Sequence, residues 1–208
     1  MGEGVNKTLR GTEVKLHIAR SQLGTALGLF LRDRDPLSVH ALACGGSEVI
    51  EGLAEHNNLP TLSTHILETH PDFNVSEIRK LRNKHWNAIK HFYRHDQKTA
   101  RDDESLMENF SDEANDVVLF SGWLDYMNLT KKLPVEVQVF QVWWYATNEV
   151  RMNPNSDPTP FRTLFPNIVD CNRSERKRRL RRAVEKYRKD TEILNDPRTE
   201  VGPLMYRA

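Results

Sequence analysis

Between Arg79 and Arg94 the 208-residue sequence gathers guanidinium, amide, imidazole, indole and ammonium groups more densely than elsewhere. Arg79, Arg82, Asn83, His85, Trp86, Asn87, Lys90 and His91 are the members. Guanidinium supplies a planar fork of donors, ammonium a compact charge and amide both a donor and an acceptor, which together can clamp an anion. At ~100° per residue on a helix, Arg79, Asn83, Asn87, Lys90 and Arg94 share a sector of about 80°. His91 completes this candidate polar face. A functional reading makes the face an anion or nucleotide contact; the bland one, and the commoner fate of polar helix faces, makes it a solvated or inter-helix hydrogen-bonded surface. His85 sits in sequence among the apolar positions Ile78, Leu81, Ile89 and Phe92, so a neutral core histidine is the better expectation there.

A second feature is electrostatic. The chain carries a formal net charge of +1, yet residues 173–189 hold ten basic and two acidic residues, whereas 102–116 hold seven acidic and none basic. In the first block Arg176, Lys177, Arg178, Arg179, Arg181 and Arg182 are candidates for binding nucleic acid or another anion, since such a run neutralises phosphates and releases counterions. The rival reading is internal: the acidic block nearly cancels the basic one, and the two would lie together in the fold. An acidic protein surface is an equivalent partner. Anionic lipid ranks third because the helix offers a narrow apolar stripe.

Other chemistry is weakly encoded. His91 and His95 are four apart and would share a helix face, but no third ligand has convincing spacing, and His65, His70 and Asp72 would contribute only through the fold; no metal and no cofactor are expected. Gly45-Gly46 lacks the Lys-Ser/Thr or GxGxxG context of a phosphate-cradling loop. Two cysteines, Cys44 and Cys171, make no disulfide framework and suit a reducing cytoplasm. The first dozen residues lack the apolar stretch of a signal peptide, and no run approaches the roughly 18 to 20 uncharged residues of a membrane span. Trp123, Tyr126, Trp143 and Trp144 lie in apolar stretches and are expected in cores; exposure of Trp143 and Trp144 would instead suit a homo-oligomer interface.

The elements that must position these groups are helical. Leu16, Leu23, Leu27, Phe30 and Leu31 recur at three- and four-residue spacings over 12–32. Asp35 before Pro36 opens a second helix carrying Val39, Leu42, Ala43, Val49, Ile50 and Leu53, whose Gly45-Gly46 pair suggests close approach of another helix. A short helix over 61–68 precedes one opened by the Asn74/Glu77 capping box and running to about Tyr93. A polar loop over 95–109 leads to a fifth helix with Val117, Phe120, Leu124 and Met127. Pro134 opens a sixth, to about Arg151, although the alternating Val135, Val137, Val139 and Val142 also suit a strand. Pro154, Pro158, Pro160 and Pro166 predict an irregular segment over 152–171, anchored by Phe161, Leu164 and Phe165 or serving as a linker. Asn172 and Glu175 cap the basic final helix, whose stripe is Leu180, Val184, Tyr187 and Leu194. The expected fold is therefore an all-α bundle of about six or seven helices, organised as a flexible N-terminus (1–11), a bundle core (12–151), the Pro-rich segment (152–171) and the basic C-terminal helix and tail (172–208).

Two family resemblances touch the same residues. Residues 86–91 (Trp-Asn-Ala-Ile-Lys-His), the acidic run 101–104, Phe110 and residues 115–126 resemble an uncharacterised bacterial all-helical family of unknown function. That likeness covers about half the chain and implies a fold, not a catalytic set. Arg79 followed six positions later by His85 is similar to the Arg-to-His motif of HEPN-domain ribonucleases. This implies a metal-independent ribonuclease in which Arg79 and His85 act on an RNA phosphate. The match departs from the family in having Lys80 after the Arg, and on a continuous helix residues six apart point about 120° away from each other. The leading expectation is a non-enzymatic cytoplasmic binding protein contacting nucleic acid through the basic helix. A HEPN-like ribonuclease and a self-associating structural protein are the alternatives.

Overall fold

A computed structural model of the chain describes residues 2–69, 72, 74–152 and 156–206, with the side chains of 2–10, 69, 75, 81 and 151 outside that description. Among the described residues there are eleven α-helices and no strands: α1 (Gly2–Leu31), α2 (Pro36–His56), α3 (Leu62–Thr69), α4 (Val75–Arg82), α5 (Lys84–Lys90), α6 (Glu104–Glu108), α7 (Ala114–Thr130), α8 (Val135–Thr147), α9 (Thr159–Leu164), α10 (Arg173–Tyr187) and α11 (Thr191–Asn195). Seven are long, as an all-α bundle requires. Short 3-10 turns at Glu149–Arg151 and Ile168–Asp170 complete the order.

The chain divides into two compact units, residues 1–130 with 205–208, and residues 131–204. This revises the expected grouping of 12–151 into one core, because α8 packs against α10 in the second unit. The division falls where Lys131 takes the left-handed conformation (φ 61) after the last turn of α7, the usual way a helix is stopped and its chain redirected.

In the first unit α1, α2 and α7 surround a core that includes Leu23, Leu27, Phe30, Val39, Ile50, Leu119 and Trp123, all fully buried. Glycine permits the close approach. A Cβ on Gly46 would lie 2.8 Å from Leu23 Cγ and 3.1 Å from the Ala19 carbonyl, and one on Gly122 would meet Ser47 Oγ and lie 2.8 Å from Leu23 Cδ2. Gly46 thus answers the question raised by the mid-helix glycine pair: its ~1 kcal/mol helix cost is offset by helix contact. α1 starts at Gly2 instead of near Thr12. On α7 the buried face is Val118, Leu119, Gly122, Trp123 and Tyr126, while Val117, expected in the core, is 43% exposed. Its neighbours are apolar on nearly all sides, so periodicity could not phase it.

The caps form as the sequence requires. Asp35 accepts the Ser38 N–H at 2.9 Å. Asn74 and Glu77 make the reciprocal box, with Glu77 N donating to Asn74 Oδ1 at 3.0 Å and Asn74 N to Glu77 Oε2 at 2.9 Å. The helix so opened breaks at Asn83 (φ −89, ψ 8), dividing the expected single helix into α4 and α5.

In the second unit α8 packs on α10, with Val137, Phe140 and Trp143 of the first and Leu180 and Val184 of the second buried. The valine alternation is helical after all, since Pro134 opens the helix and Trp143 and Ala146 continue its buried face. Pro158 and Pro160 begin α9, where proline fits. Pro154 lies outside the described residues. Phe165 and Ile168 are buried, and Phe161 lies 5.0 Å from the Tyr145 ring, so the segment wraps its own unit. The unit is closed by Leu133, which donates to the Arg198 carbonyl (3.0 Å) and accepts from Glu200 N (2.9 Å).

Candidate functional site

The polar face of 79–91 turns toward carboxylates. Along α2, Glu48, Glu51 and Glu55 recur at three- and four-residue spacing and so share a helix face. Arg82 reaches Glu51 Oε2 at 2.7 Å, Arg79 pairs with Glu55 and lies 3.7 Å from Glu51, and Lys90 lies 3.6 Å from Glu48. Trp86 Nε1 donates to Glu48 at 3.2 Å, with Lys90 also over the Trp86 ring at 5.1 Å. Glu51 is buried, and Ser63 Oγ donates to it at 2.8 Å. Burial pushes its carboxyl up, but the Arg82 bond and charge, Ser63 and Arg79 outweigh that and hold it below the ordinary range. The face is thus an inter-helix ionic surface. Asn83 marks the helix break, where Arg82 Nε donates to its Oδ1 at 3.3 Å, and Asn87 continues α5 within reach of it, its N–H bonding the Asn83 carbonyl at 2.8 Å. His91 ends α5 in extended backbone and is exposed.

His85 joins an aromatic trio instead of Arg79. Its ring meets His40 (5.8 Å) and Phe110 (5.2 Å) edge-on, and His40 meets Phe110 at 5.2 Å. Burial, then the Lys84 charge, lowers the affinity of His85 for a proton, so it is neutral at pH 7. His40 is buried and lowered likewise, by burial and by His85 against the opposing Asn115 bond. Asn115 Nδ2 donates to the Pro36 carbonyl at 3.0 Å, which turns its Oδ1 toward His40 Nδ1 at 2.9 Å. Nδ1 therefore carries the proton, and Nε2 is buried with no hydrogen-bond partner. Cys44, one turn on, is buried and pushed up to about 12 by burial, which leaves it a thiol with no nucleophilic character.

A buried acid was missed by sequence reasoning. Asp125 of α7 accepts the Leu62 N–H at 2.7 Å where α3 begins, and burial, with Glu51 adding repulsion, pushes it up to about 6. Its position within an otherwise apolar helix was the available signal. Of the histidines considered for a metal, His70 lies outside the described residues. Among the described residues no three or more His, Cys, Asp or Glu are placed to hold a metal ion.

The basic helix α10 is held differently. Arg176 donates from Nε to the Ile168 carbonyl (3.1 Å) and from Nη2 to that of Val169 (2.6 Å), while Arg179 Nη1 donates to the Pro166 carbonyl at 2.7 Å. Arg176 itself offers its carbonyl to Trp143 Nε1 at 3.0 Å, and Arg173 lies 5.7 Å over the Trp143 ring. Lys177 is buried and Arg181 half-buried. Glu175 receives Arg178 at 2.5 Å and Arg179 at 3.0 Å. The exposed cations on α10 are Arg178, Arg182 and Lys186; Arg188 and Lys189 follow its end and are exposed too, Arg188 pairing with Glu136 at 2.7 Å. At ~100° per residue the three on the helix fall within about 80°, with Glu185 beside them. Arg176, Lys177 and Arg179 therefore anchor the helix to its own unit, and the solvent-facing charge is a narrower set than the basic run suggested. Trp143 is fully buried, which removes it from any exposed interface, and Trp144 is half-buried.

Comparison with protein-family models, with curated proteins and with solved structures returns no match. No helix among the described residues is long and apolar enough to cross a membrane.

Proposed function

We propose that this chain is a cytoplasmic binding protein that contacts nucleic acid through the solvent face of α10. The observation that carries the reading is the division of labour on that helix. Arg176 bonds two main-chain carbonyls, which fixes the helix without cancelling its charge, while Arg182 and Lys186 stand together on the exposed side beside Arg178, which shares Glu175 with Arg179. A pre-fixed row of cations loses little entropy on meeting phosphates and gains by counterion release. The free thiols Cys44 and Cys171 accord with a reducing compartment.

The test is retention of labelled duplex DNA or RNA by the whole protein and by R178E/R182E/K186E. Wild-type affinity should fall with salt at a log–log slope of roughly −3, about −0.9 per neutralised phosphate, and the triple variant should lose both binding and slope. Equal binding by the variant overturns the reading. Binding confined to an acidic protein would move the partner to that class. RNA cleavage abolished by His85→Ala would replace the reading with the ribonuclease one.

A further inference from the structure

After α5 the chain makes a tight, stapled turn over 92–101. Arg101 N donates to the Phe92 carbonyl at 2.9 Å and Arg94 N to that of Thr99 at 2.8 Å, with an antiparallel bridge between Tyr93 and Ala100. Gln97 takes the left-handed conformation (φ 59) at the tip. Asp96 ties the tip, accepting the N–H groups of Lys98 and Thr99 at 2.9 Å each and the Thr99 hydroxyl at 2.6 Å. These bonds hold its carboxyl down at about 2. Asp with Thr three residues on is the sequence mark of such a turn.

What the turn displays is unusual for a polar loop. Phe92 is 71% and Tyr93 48% exposed, and their rings meet edge-on at 4.9 Å. Beside them is a cavity of about 330 Å³ lined by Ala88, Ile89, Lys90, His91, Phe92, Arg101 and Asp103. That volume lies at the small end of ligand pockets and admits one planar group with its attached charge, not a helix. Ala88, Ile89 and Phe92 supply the apolar part of its wall, and the larger polar part comes from His91, Arg101, Asp103 and Lys90, the last also paired with Glu48. Asp103 is fixed by Arg101 through two 2.7 Å bonds. Arg94, His95 and Lys98 are exposed on the turn.

We infer that the Phe92–Tyr93 turn and its cavity form a binding site for unpaired nucleobases of a single-stranded nucleic acid. A base offers what this site complements: a π face for an aromatic ring, an edge carrying donors and acceptors, and a phosphate for the neighbouring cations. Duplex bases are stacked on one another and cannot enter. The carboxylates at Asp96, Asp102, Asp103 and Glu104 balance Lys90, Arg94, Lys98 and Arg101, so stacking, not net charge, dominates and the salt dependence is shallow. The site lies in the first unit and does not depend on α10.

The experiment uses the full chain bearing R178E/R182E/K186E, which silences the helix. Labelled twelve-nucleotide poly(dC) and poly(rC) strands and a duplex of the same length are titrated by fluorescence anisotropy. The silenced protein should prefer either single strand to the duplex, with a salt slope shallower than about −1.5. Adding F92A or Y93A should weaken single-strand binding about tenfold each, while F92W retains it. Both rings are exposed, so circular dichroism should show the fold unchanged. Undiminished binding by F92A/Y93A, equal affinity for duplex and single strand, or no single-strand binding by the silenced protein overturns the proposal. None of these outcomes bears on whether α10 binds duplex in the unaltered chain.

Discussion

Two arginine-rich regions of this molecule are built in opposite ways. In α4 and α5 the cations Arg79, Arg82 and Lys90 meet the carboxylates of Glu55, Glu51 and Glu48, so charge is cancelled within the fold. In α10 Arg176 donates to the carbonyls of Ile168 and Val169, which satisfies its N–H groups and leaves its charge standing, whereas Arg179 divides its bonds between the Pro166 carbonyl and Glu175. A carboxylate partner turns an arginine into structure alone, whereas a carbonyl partner lets it be structure and still contribute to a positive surface. Composition does not distinguish the two cases. The identity of the acceptor does.

The largest expected effect tests the first region. Glu51→Ala strands Arg82 and Ser63, and should cost ~3–5 kcal/mol in urea unfolding, the usual loss when one member of a buried pair is removed. A loss under about 1 kcal/mol would show that the ionic stripe is ornamental, and the contrast would fail. Next, Arg176→Ala removes two bonds to carbonyls and should cost ~1–3 kcal/mol, read by thermal unfolding. Since no anion is freed, added salt should not change that difference, whereas a salt-sensitive loss would place a carboxylate at Arg176.

Asp125 gives a smaller effect of opposite sign. Its folded-state carboxyl is raised from 3.8 to about 6, so the native state holds a proton that the unfolded chain releases, and stability is lost as pH rises through that interval. Asp125→Asn keeps an oxygen for Leu62 N–H and should stabilise by ~1–2 kcal/mol at pH 7, the gain shrinking as pH falls below 6 and disappearing below 4. His40 and His85 oppose this trend. Their folded-state proton affinity is lowered from 6.5, so protonation favours the unfolded chain and stability rises with pH up to about 6.5. In the Asn variant a urea titration against pH should therefore lose the falling limb and keep the rising one, to which Glu51 contributes with the histidines. The smallest stability effect belongs to Arg178→Glu, within ~0.5 kcal/mol because the side chain is exposed, yet it should measurably weaken nucleic-acid binding.

Much of this architecture was legible in the sequence. The Asp35, Asn74 and Asn172 caps appear where the pattern put them, because a cap is a local bond between residues three apart. The Gly46 contact was legible for a related reason: a mid-helix glycine has a cost that packing must offset. The division after Thr130 was hidden, since whether α8 joins α7 or α10 depends on pairings between distant segments. The Asn83 break was hidden too, for Asn is tolerated in helices as well as at their ends. At the candidate sites, the cations were legible but their acceptors were not. Arg79 and Lys90 lie 24 and 42 residues from their glutamates, a distance no spacing rule reaches. The aromatic turn was not legible because Phe92 continues the spacing of a helical stripe whose helix ends at Lys90.

One topological feature has a mechanical consequence. Met205 and Tyr206 belong with the first unit, where Arg20 lies 5.4 Å over the Tyr206 ring and Tyr206 stacks on His17 at 4.9 Å. The second unit is therefore an insert, entered and left on one backbone and latched near its own ends by Leu133 against Arg198 and Glu200. Tension applied at residues 11 and 206 would be borne first by the grip of α1 on Tyr206, and would reach the insert only after that grip had slipped. The module bearing the basic helix is thus shielded from stretching in a way that a domain strung end to end with its neighbour is not.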